Sequence, residues 1–494
     1  MSASPRIAIV HYHLKPGGVT RVIESTLRGL GARSAPPRCV MLSSTPATEM
    51  DWAGASTYAC VSGLDYSNAQ STTPHPDVLV NQLREAARSI LGGPPDVWHF
   101  HNHALGKNTS LPGVITRLAE AGDALLLHMH DFAEDGRPEN YRLNQAAEKS
   151  GSHLYPDAPH VHYAVLNARD HAIFRRTGIP AERLHLLSNP VENVPAPAAG
   201  SGDAAAILQT LRADQLVLYP VRAVRRKNFG EMLLWSAMAQ PGTVYASTLG
   251  PTNRNYEQAY QQWQALANQL HLPVRFGIGE AHGWPFPAMM CAASSILSTS
   301  IAEGFGLAFL EPWLYGKPLW GRDLPAITAD FKAHGIQLDA LYTAIPIPTD
   351  WLDMAALHRR LEAGLRKLYQ DYRTPLPENA VDAALAGICP APGYVDFAGL
   401  DEPLQAEVLQ QIARNPALKL TLANPLPLPD PHSITINAGK IQQECSLDHY
   451  SRKLTSIYET LANVPQTREK VSFFPPGHIL RAFLKPETFR LLRT

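Results

Sequence analysis

The chain has 494 residues, 45% of them hydrophobic and 18% charged, with 43 Lys and Arg against 44 Asp and Glu. That length suits two or three domains with cores large enough to need neither disulfide nor metal. The near-neutral balance excludes a general attraction to nucleic acid or to an anionic membrane. Five widely spaced cysteines, Cys39, Cys60, Cys291, Cys389 and Cys445, form no CxxC pair, which argues against a disulfide framework and a zinc knuckle. The N-terminal MSASPRIAIVHYHL lacks a charged stretch followed by a long apolar one, and no run of about 20 apolar residues occurs, so a cytoplasmic chain with no membrane span is expected.

The first half predicts strands at Arg6–Tyr12, Arg38–Ser43, Val97–His101, Ala124–His128 and His162–Leu166, alternating with helical patterns. Short apolar strands alternating with helices read as a parallel, doubly wound α/β sheet. The Pro-, Gly- and Ala-rich stretch Pro195–Asp203 reads as a linker. The alternation then restarts at Leu216–Pro220, Val244–Leu249, Pro273–Phe276, Ser295–Thr299 and Pro318–Trp320. The expected domains are residues 1–200 and 201–465, with a Pro-rich insertion over about residues 374–432 holding a helix Glu402–Arg414. A helix Ser446–Leu461 and a tail 466–494 follow, the tail expected to pack back on the first domain. Ligands of open parallel sheets sit outside the carboxyl ends of the strands, so two such units facing each other would enclose a cleft.

Four segments carry chemistry. In STSIAEGFGLAFLEPW a strand ends, a loop bears Glu303, Gly304, Phe305 and Gly306, and a helix is expected from Leu307 carrying Glu311. Glycines admit a ligand close to the backbone and a helix N-terminus suits a diphosphate. Carboxylates there would repel phosphate, so they are read as acceptors for sugar or ribose hydroxyls; a bare pair of glutamates would instead be two solvated side chains. In LVLYPVRAVRRKNFGE a strand end is followed by Arg222, Arg225, Arg226 and Lys227, a local anion site in a neutral protein or else an exposed basic loop. In HYHLKPGGVT, Gly17 and Gly18 form a strand-to-helix turn that could receive an anion; neither GxGxxG nor GxxxxGK[ST] occurs. Finally His99 and His101 alternate on one strand, and His128 and His130, followed by Asp131, alternate on the next. Alternation puts each pair on one face. Polar residues lining a sugar cleft is the preferred reading over a metal site, because carboxylate or thiolate partners at ligand spacing are missing, although some of these histidines will be satisfied core residues.

Taken together these segments resemble the retaining glycosyltransferases of family 4, which have the GT-B fold of two facing Rossmann-like domains. EGFGLAFLE resembles that family's E-x7-E motif. Arg222 and Lys227 stand at the spacing of its G-R-x3-E-K-G segment, with Val221 and Asn228 in place of the two glycines. The Gly17–Gly18 turn, His130–Asp131, and SNPVEN (Ser188–Asn193, with Pro190 where glycine is usual) also match. The resemblance covers about residues 5–345 and the helix near Ser446–Leu461.

It implies that Arg222 and Lys227 bind the donor diphosphate and stabilise the departing nucleoside diphosphate. Glu311 would bind ribose hydroxyls, Glu303 with the backbone around Phe305 and Gly306 would hold hydroxyls of the transferred sugar, and Gly304 and Leu307 would complete the donor-binding loop. His130 would lie near the sugar, Gly17 and Gly18 along donor phosphate and acceptor, and His101 and Asp131 on the acceptor side. The implied activity is retaining, metal-independent hexosyl transfer from a nucleotide sugar, UDP-glucose before GDP-mannose, to a hydroxyl of a small or carbohydrate acceptor, with no cofactor and no nucleic-acid partner. Another GT-B activity, such as an epimerase or phosphorylase, and a non-catalytic sugar-nucleotide-binding protein are the alternatives. The basic, amphipathic tail Gly477–Thr494 offers a membrane contact, which the Pro486 break and neutral charge disfavour.

Overall fold

The structure, a computed structural model, describes residues 4–46, 57–67, 73–149, 151–192, 202–422, 430–465 and 471–493. Two units form: Met1–Glu192 with Cys445–Leu484, and Asn193–Glu444 with Lys485–Thr494.

The first unit holds β1 (Arg6–Val10), β2 (Arg38–Ser43), β3 (Tyr58–Cys60), β4 (Val97–His101), β5 (Leu125–Met129), the short β6 (Pro156–Asp157), β7 (Val161–Val165) and β8 (Leu184–Leu186). Seven of them make one sheet in the order β3-β2-β1-β4-β5-β7-β8; every pairing is parallel. β4, β5 and β7 are buried throughout, because helices cover both faces. One face packs on helices Pro76–Leu91 and Leu111–Glu120 through Leu79, Leu83, Val114 and Leu118. The other carries Ile7, Ile9, Met41, Val97 and Leu126 against helices Gly18–Gly31 and Leu447–Ala462.

The second unit holds β9 (Gln215–Arg222), β10 (Thr243–Leu249), β11 (Val274–Arg275), β12 (Ser295–Ser298), β13 (Leu319–Arg322) and β14 (Leu341–Tyr342), ordered β11-β10-β9-β12-β13-β14 and again all parallel. In both sheets the strand order reverses once, between β1 and β4 and between β9 and β12. Such switch points open a crevice at the carboxyl edge.

Three expectations need correcting. The boundary at residue 465 is wrong because helix Leu447–Ala462 belongs to the first unit. Its buried stripe, Tyr450, Leu454, Ile457, Tyr458 and Leu461, completes that unit's second core. At the crossing with helix Gly18–Gly31, Gly29 leaves no room for a Cβ, which would stand 2.1 Å from Ser451 Oγ. The described residues of the expected insertion 374–432 are part of the second unit's body: helix Glu402–Arg414 packs its Leu404, Gln405 and Val408 face against helix Phe229–Ala237. The tail divides. Ser472–Phe473 pairs with β6 and helix Pro476–Phe483 packs on the first unit, whereas Phe489 and Leu491 lie against Gly364 in the second. Of the expected linker, residues 195–201 lie outside the described residues, and Gly202 already opens helix Gly202–Leu211. Among the described residues no helix is long and apolar enough to cross a membrane.

Candidate functional site

In the second unit the two charged segments meet at the β9/β12 switch point. β9 ends at Arg222, and a single 3-10 turn Arg225–Lys227 precedes helix Phe229–Ala237. β12 ends at Ser298 and leads through Thr299–Ala302 to Glu303. Ladder-like bonds zip the two loops together: Ile301 N donates to Arg226 O at 2.9 Å, and Thr299 Oγ1 to the carbonyls of Lys227 and Asn228 at 2.9 and 3.1 Å. Tyr219 OH, buried at the core of β9, also donates to Lys227 O at 2.9 Å. The Lys227 carbonyl is thus fixed by two hydroxyls, which aims its side chain.

That side chain pairs with Glu303. Arg226 adds a second cation 3.9 Å from Glu303 Oε2. Burial pushes the Glu303 carboxyl up, but Lys227 and Arg226 outweigh it and hold it below the usual carboxylate range. Burial pushes Lys227 down, with Glu303 opposing. Arg222 is exposed, 4.0 Å from Glu280. Of the four cations read as one anion site, Arg225 is turned aside. It donates to both oxygens of Glu402, at 2.6 and 2.7 Å.

Asn228 stands where glycine was expected and explains itself by its backbone: φ is 51° and ψ 60°, the left-handed region. Asparagine is among the few side chains that tolerate it. The amide also donates to Glu231 at 2.8 Å and accepts from Gln405 at 2.9 Å. Gly306, at φ +93°, is required outright: a Cβ would stand 2.9 Å from Ile327 and from Phe309. Phe305 packs edge-on to Phe331 at 5.5 Å.

The helix expected from Leu307 does not form. Leu307–Phe309 is a 3-10 turn, and a four-residue helix Glu311–Leu314 follows with Glu311 at its first position. Pro312 is the cause: its ring would clash with the carbonyl four residues back in a continuous helix, but it fits the first turn of a new one.

In the first unit the sequence-predicted residues lie at the β1/β4/β5 edge. Gly17 precedes helix Gly18–Gly31 in an extended conformation, and nothing lies within 4 Å of where a Gly18 Cβ would point. Steric demand therefore does not explain these glycines; room for a ligand would. Asn102, after β4, accepts from the backbone N–H of His130 at 2.7 Å and of Asp131 at 3.0 Å, and Tyr12 OH donates to its carbonyl. Asp131 is paired with Arg137 at 2.6 Å. The imidazoles, expected to line a sugar cleft, instead form a buried array, because helices cover both faces of β4 and β5. His101 Nδ1 lies 2.8 Å from His130 Nε2, His99 Nε2 lies 3.2 Å from His128 Nδ1, and Tyr458 OH lies 2.7 Å from His99 Nδ1. Burial above all, then neighbouring imidazoles, pushes His99 down to about 3; burial pushes His130 down to about 4, against the pull of Asp131. The rings are neutral at physiological pH.

No family model matches the chain. A stretch of 345 residues is 24% identical to the mannosylglucosyl-3-phosphoglycerate synthase of Petrotoga mobilis, covering 66% of this chain and 66% of that protein, just under two thirds of its length. Among solved structures, HepE of Anabaena in complex with UDP and glucose matches with a TM-score of 0.55 at 13% identity, over 92% of this chain and 100% of that one. Sucrose-phosphate synthase of Thermosynechococcus elongatus matches with 0.53 at 15% identity, over 92% and 99%. The fold is that of the GT-B glycosyltransferases.

Sequence reasoning missed the supports of this GT-B chain's charged loop. Arg322, at the end of β13, is buried and donates to Glu231 at 2.6 Å and Asp396 at 2.8 Å. Tyr342 donates to Glu231 at 2.6 Å, and Glu231 in turn holds Asn228. Burial disfavours the charged guanidinium, yet Asp396 and Glu231 outweigh it and raise Arg322 well above its ordinary value. Charged residues inside otherwise apolar segments were the available signal: Glu231 opens a helix whose other turns are apolar, and Arg322 ends a buried strand. Arg226, read from the sequence as one of four cations of an anion site, stands where the family pattern has Glu and faces Glu303.

Proposed function

We propose that this chain is a retaining hexosyltransferase that takes its sugar from a nucleotide-sugar donor. The observation that carries the reading is the meeting of Lys227 and Arg226 with Glu303, beside the glycine loop Gly304–Gly306, at the switch point of the second sheet. The GT-B fold and the partial likeness to a named glycosyl-transferring synthase support it.

In the proposed reaction Lys227 and Arg222 bind the donor diphosphate. The bond from the anomeric carbon to the phosphate oxygen breaks, and the acceptor hydroxyl oxygen bonds to that carbon from the same face. The departing phosphate oxygen takes the acceptor proton, so the products are a glycoside and a nucleoside diphosphate. The cations stabilise charge that develops on the leaving group, with no metal required. Glu303, with the loop through Leu307, accepts hydrogen bonds from hexose hydroxyls, and Glu311 from the ribose. Within the first unit, His130, Asp131 and the Gly17–Gly18 turn are the candidate groups for sugar and acceptor, whereas His101, expected on the acceptor side, is buried and is not among them. UDP-glucose is the first donor to test and GDP-mannose the second. The name of the Petrotoga relative adds phosphorylated carbohydrates to the small and carbohydrate acceptors worth trying. A cytoplasmic location belongs to the same proposal; membrane contact through the tail does not.

The test is a thermal-shift panel with UDP, GDP, ADP and their sugar conjugates, with and without magnesium, since a ligand that binds only the folded chain raises the melting point. One nucleotide should stabilise the protein, and its hexose conjugate should release nucleoside diphosphate in the presence of acceptor. A shift without any release would make the chain a sugar-nucleotide-binding protein. No shift with any nucleotide would remove the donor site.

A further inference from the structure

Three imidazoles from two neighbouring strands converge beneath helix Leu447–Ala462. His99 and His101 are on β4 and His128 on β5, all essentially without solvent exposure. One ring nitrogen from each lies within 4.8 Å of the others. The register explains this: His101 stands directly opposite His128 in the parallel pairing, and His99 shares their face.

A hydrogen-bonded ladder accounts for part of this arrangement. His99 Nε2 and His128 Nδ1, at 3.2 Å, could share one hydrogen, and His101 Nδ1 with His130 Nε2 another. It does not account for His101 Nε2, His128 Nε2 or His130 Nδ1, which are buried with no hydrogen-bond partner. Leaving such a nitrogen unmade costs about 1–3 kcal/mol.

We propose that His99, His101 and His128 form a structural binding site for a divalent transition metal, of the zinc class, with a water or hydroxide as the fourth ligand. The donor set is chemically apt. Neutral imidazole is the ligating form, and an all-nitrogen site favours zinc, nickel, cobalt or copper over magnesium or calcium. An outer partner is in place: with Nε2 of His99 on the metal, Nδ1–H donates to Tyr458 OH at 2.7 Å, which fixes ring and tautomer. Hydroxide as fourth ligand would halve the charge to be buried. The ion would bind β4, β5 and, through Tyr458, helix Leu447–Ala462 into one body. With Nε2 of His101 on the metal, its Nδ1–H donates to His130 Nε2. The site is separate from neutralisation of the donor diphosphate, so the metal-independent transfer proposed above stands or falls on its own tests.

The experiment is elemental analysis of the full chain purified from zinc-supplemented cells, together with the visible spectrum after cobalt substitution. The wild type should retain near-stoichiometric zinc and give the cobalt spectrum of a tetrahedral nitrogen–oxygen site without a thiolate charge-transfer band. H101N and H128N should lose the metal, while H162N, whose ring instead faces His185 at 2.9 Å, should keep it. Tyr458→Phe keeps the ring that fills the core and stays interpretable if a histidine variant fails to fold; its zinc affinity should fall roughly tenfold. Wild-type protein carrying no more zinc than H101N would overturn the proposal. So would a thiolate band, or unchanged affinity in Y458F.

Discussion

The two sheets share an architecture and a switch point, yet they treat buried polarity in opposite ways. The carboxyl edge of the first is made of imidazoles that burial keeps neutral. That of the second is made of charges that neutralise one another: Lys227 with Glu303, Arg225 with Glu402, and Arg322 with Glu231 and Asp396. A parallel sheet thus fixes where the polar groups at its carboxyl edge stand without fixing their electrostatics. A paired charged edge can exchange an internal carboxylate for an incoming phosphate.

This contrast can be broken by experiment. The largest effect is expected at Arg322→Leu, which strips Glu231 and Asp396 of their shared cation and should cost about 3–5 kcal/mol in a urea melt. A loss below 1 kcal/mol, on the scale of a surface pair, would mean that the second unit does not depend on charge pairing. Next comes Lys227→Ala, which should lower kcat about 10²–10³-fold, some 3 kcal/mol of barrier, with the fold retained. Wild-type turnover would remove Lys227 from the charged edge's function.

A smaller effect distinguishes the units by pH. In the metal-free protein the folded-state values of His99 and His130 lie near 3 and 4, below the ordinary 6.5, so the unfolded chain binds protons first as pH falls. The stability these rings contribute is fully present above pH 6.5 and is lost as acidification proceeds towards their folded values, at up to about 1.4 kcal/mol per pH unit for each group. Hydrogen exchange between neutral pH and about pH 5 should therefore show β4 and β5 losing protection before β9 and β12. Simultaneous loss would erase the distinction. The smallest effect separates Asn228→Ala from Asn228→Gly. Both lose the contacts to Glu231 and Gln405, but only alanine is strained in the left-handed region, so it should be worse by about 1 kcal/mol.

Much of the frame was legible because buried parallel strands are short, mostly apolar runs between helical patterns. β2 and β4 match their expected ranges, and helix Glu402–Arg414 is found as read. The histidine array was legible by alternation, since each pair lies on one face of its strand. Hidden was everything that depends on distant pairing. The amphipathic stripe of helix Leu447–Ala462 announces a core without saying which one, and Glu231, Arg322 and Asp396 meet only across 91 and 74 positions of sequence. The break before Glu311 is a different case: Pro312 carried the signal, and the expectation of a helix from Leu307 passed over it.

The return of Cys445–Leu484 to the first unit bears on how the protein is made. A ribosome finishes Met1–Glu192 and must then synthesise roughly 250 further residues before the helix that roofs Ile7, Ile9 and Leu126 leaves the exit tunnel. At about 5–20 residues per second this interval lasts some tens of seconds. During it the nascent first unit holds an open apolar face and an unroofed row of imidazoles, while most of the second unit is synthesised. Chaperone capture, and any loading of the buried histidines, have their window there.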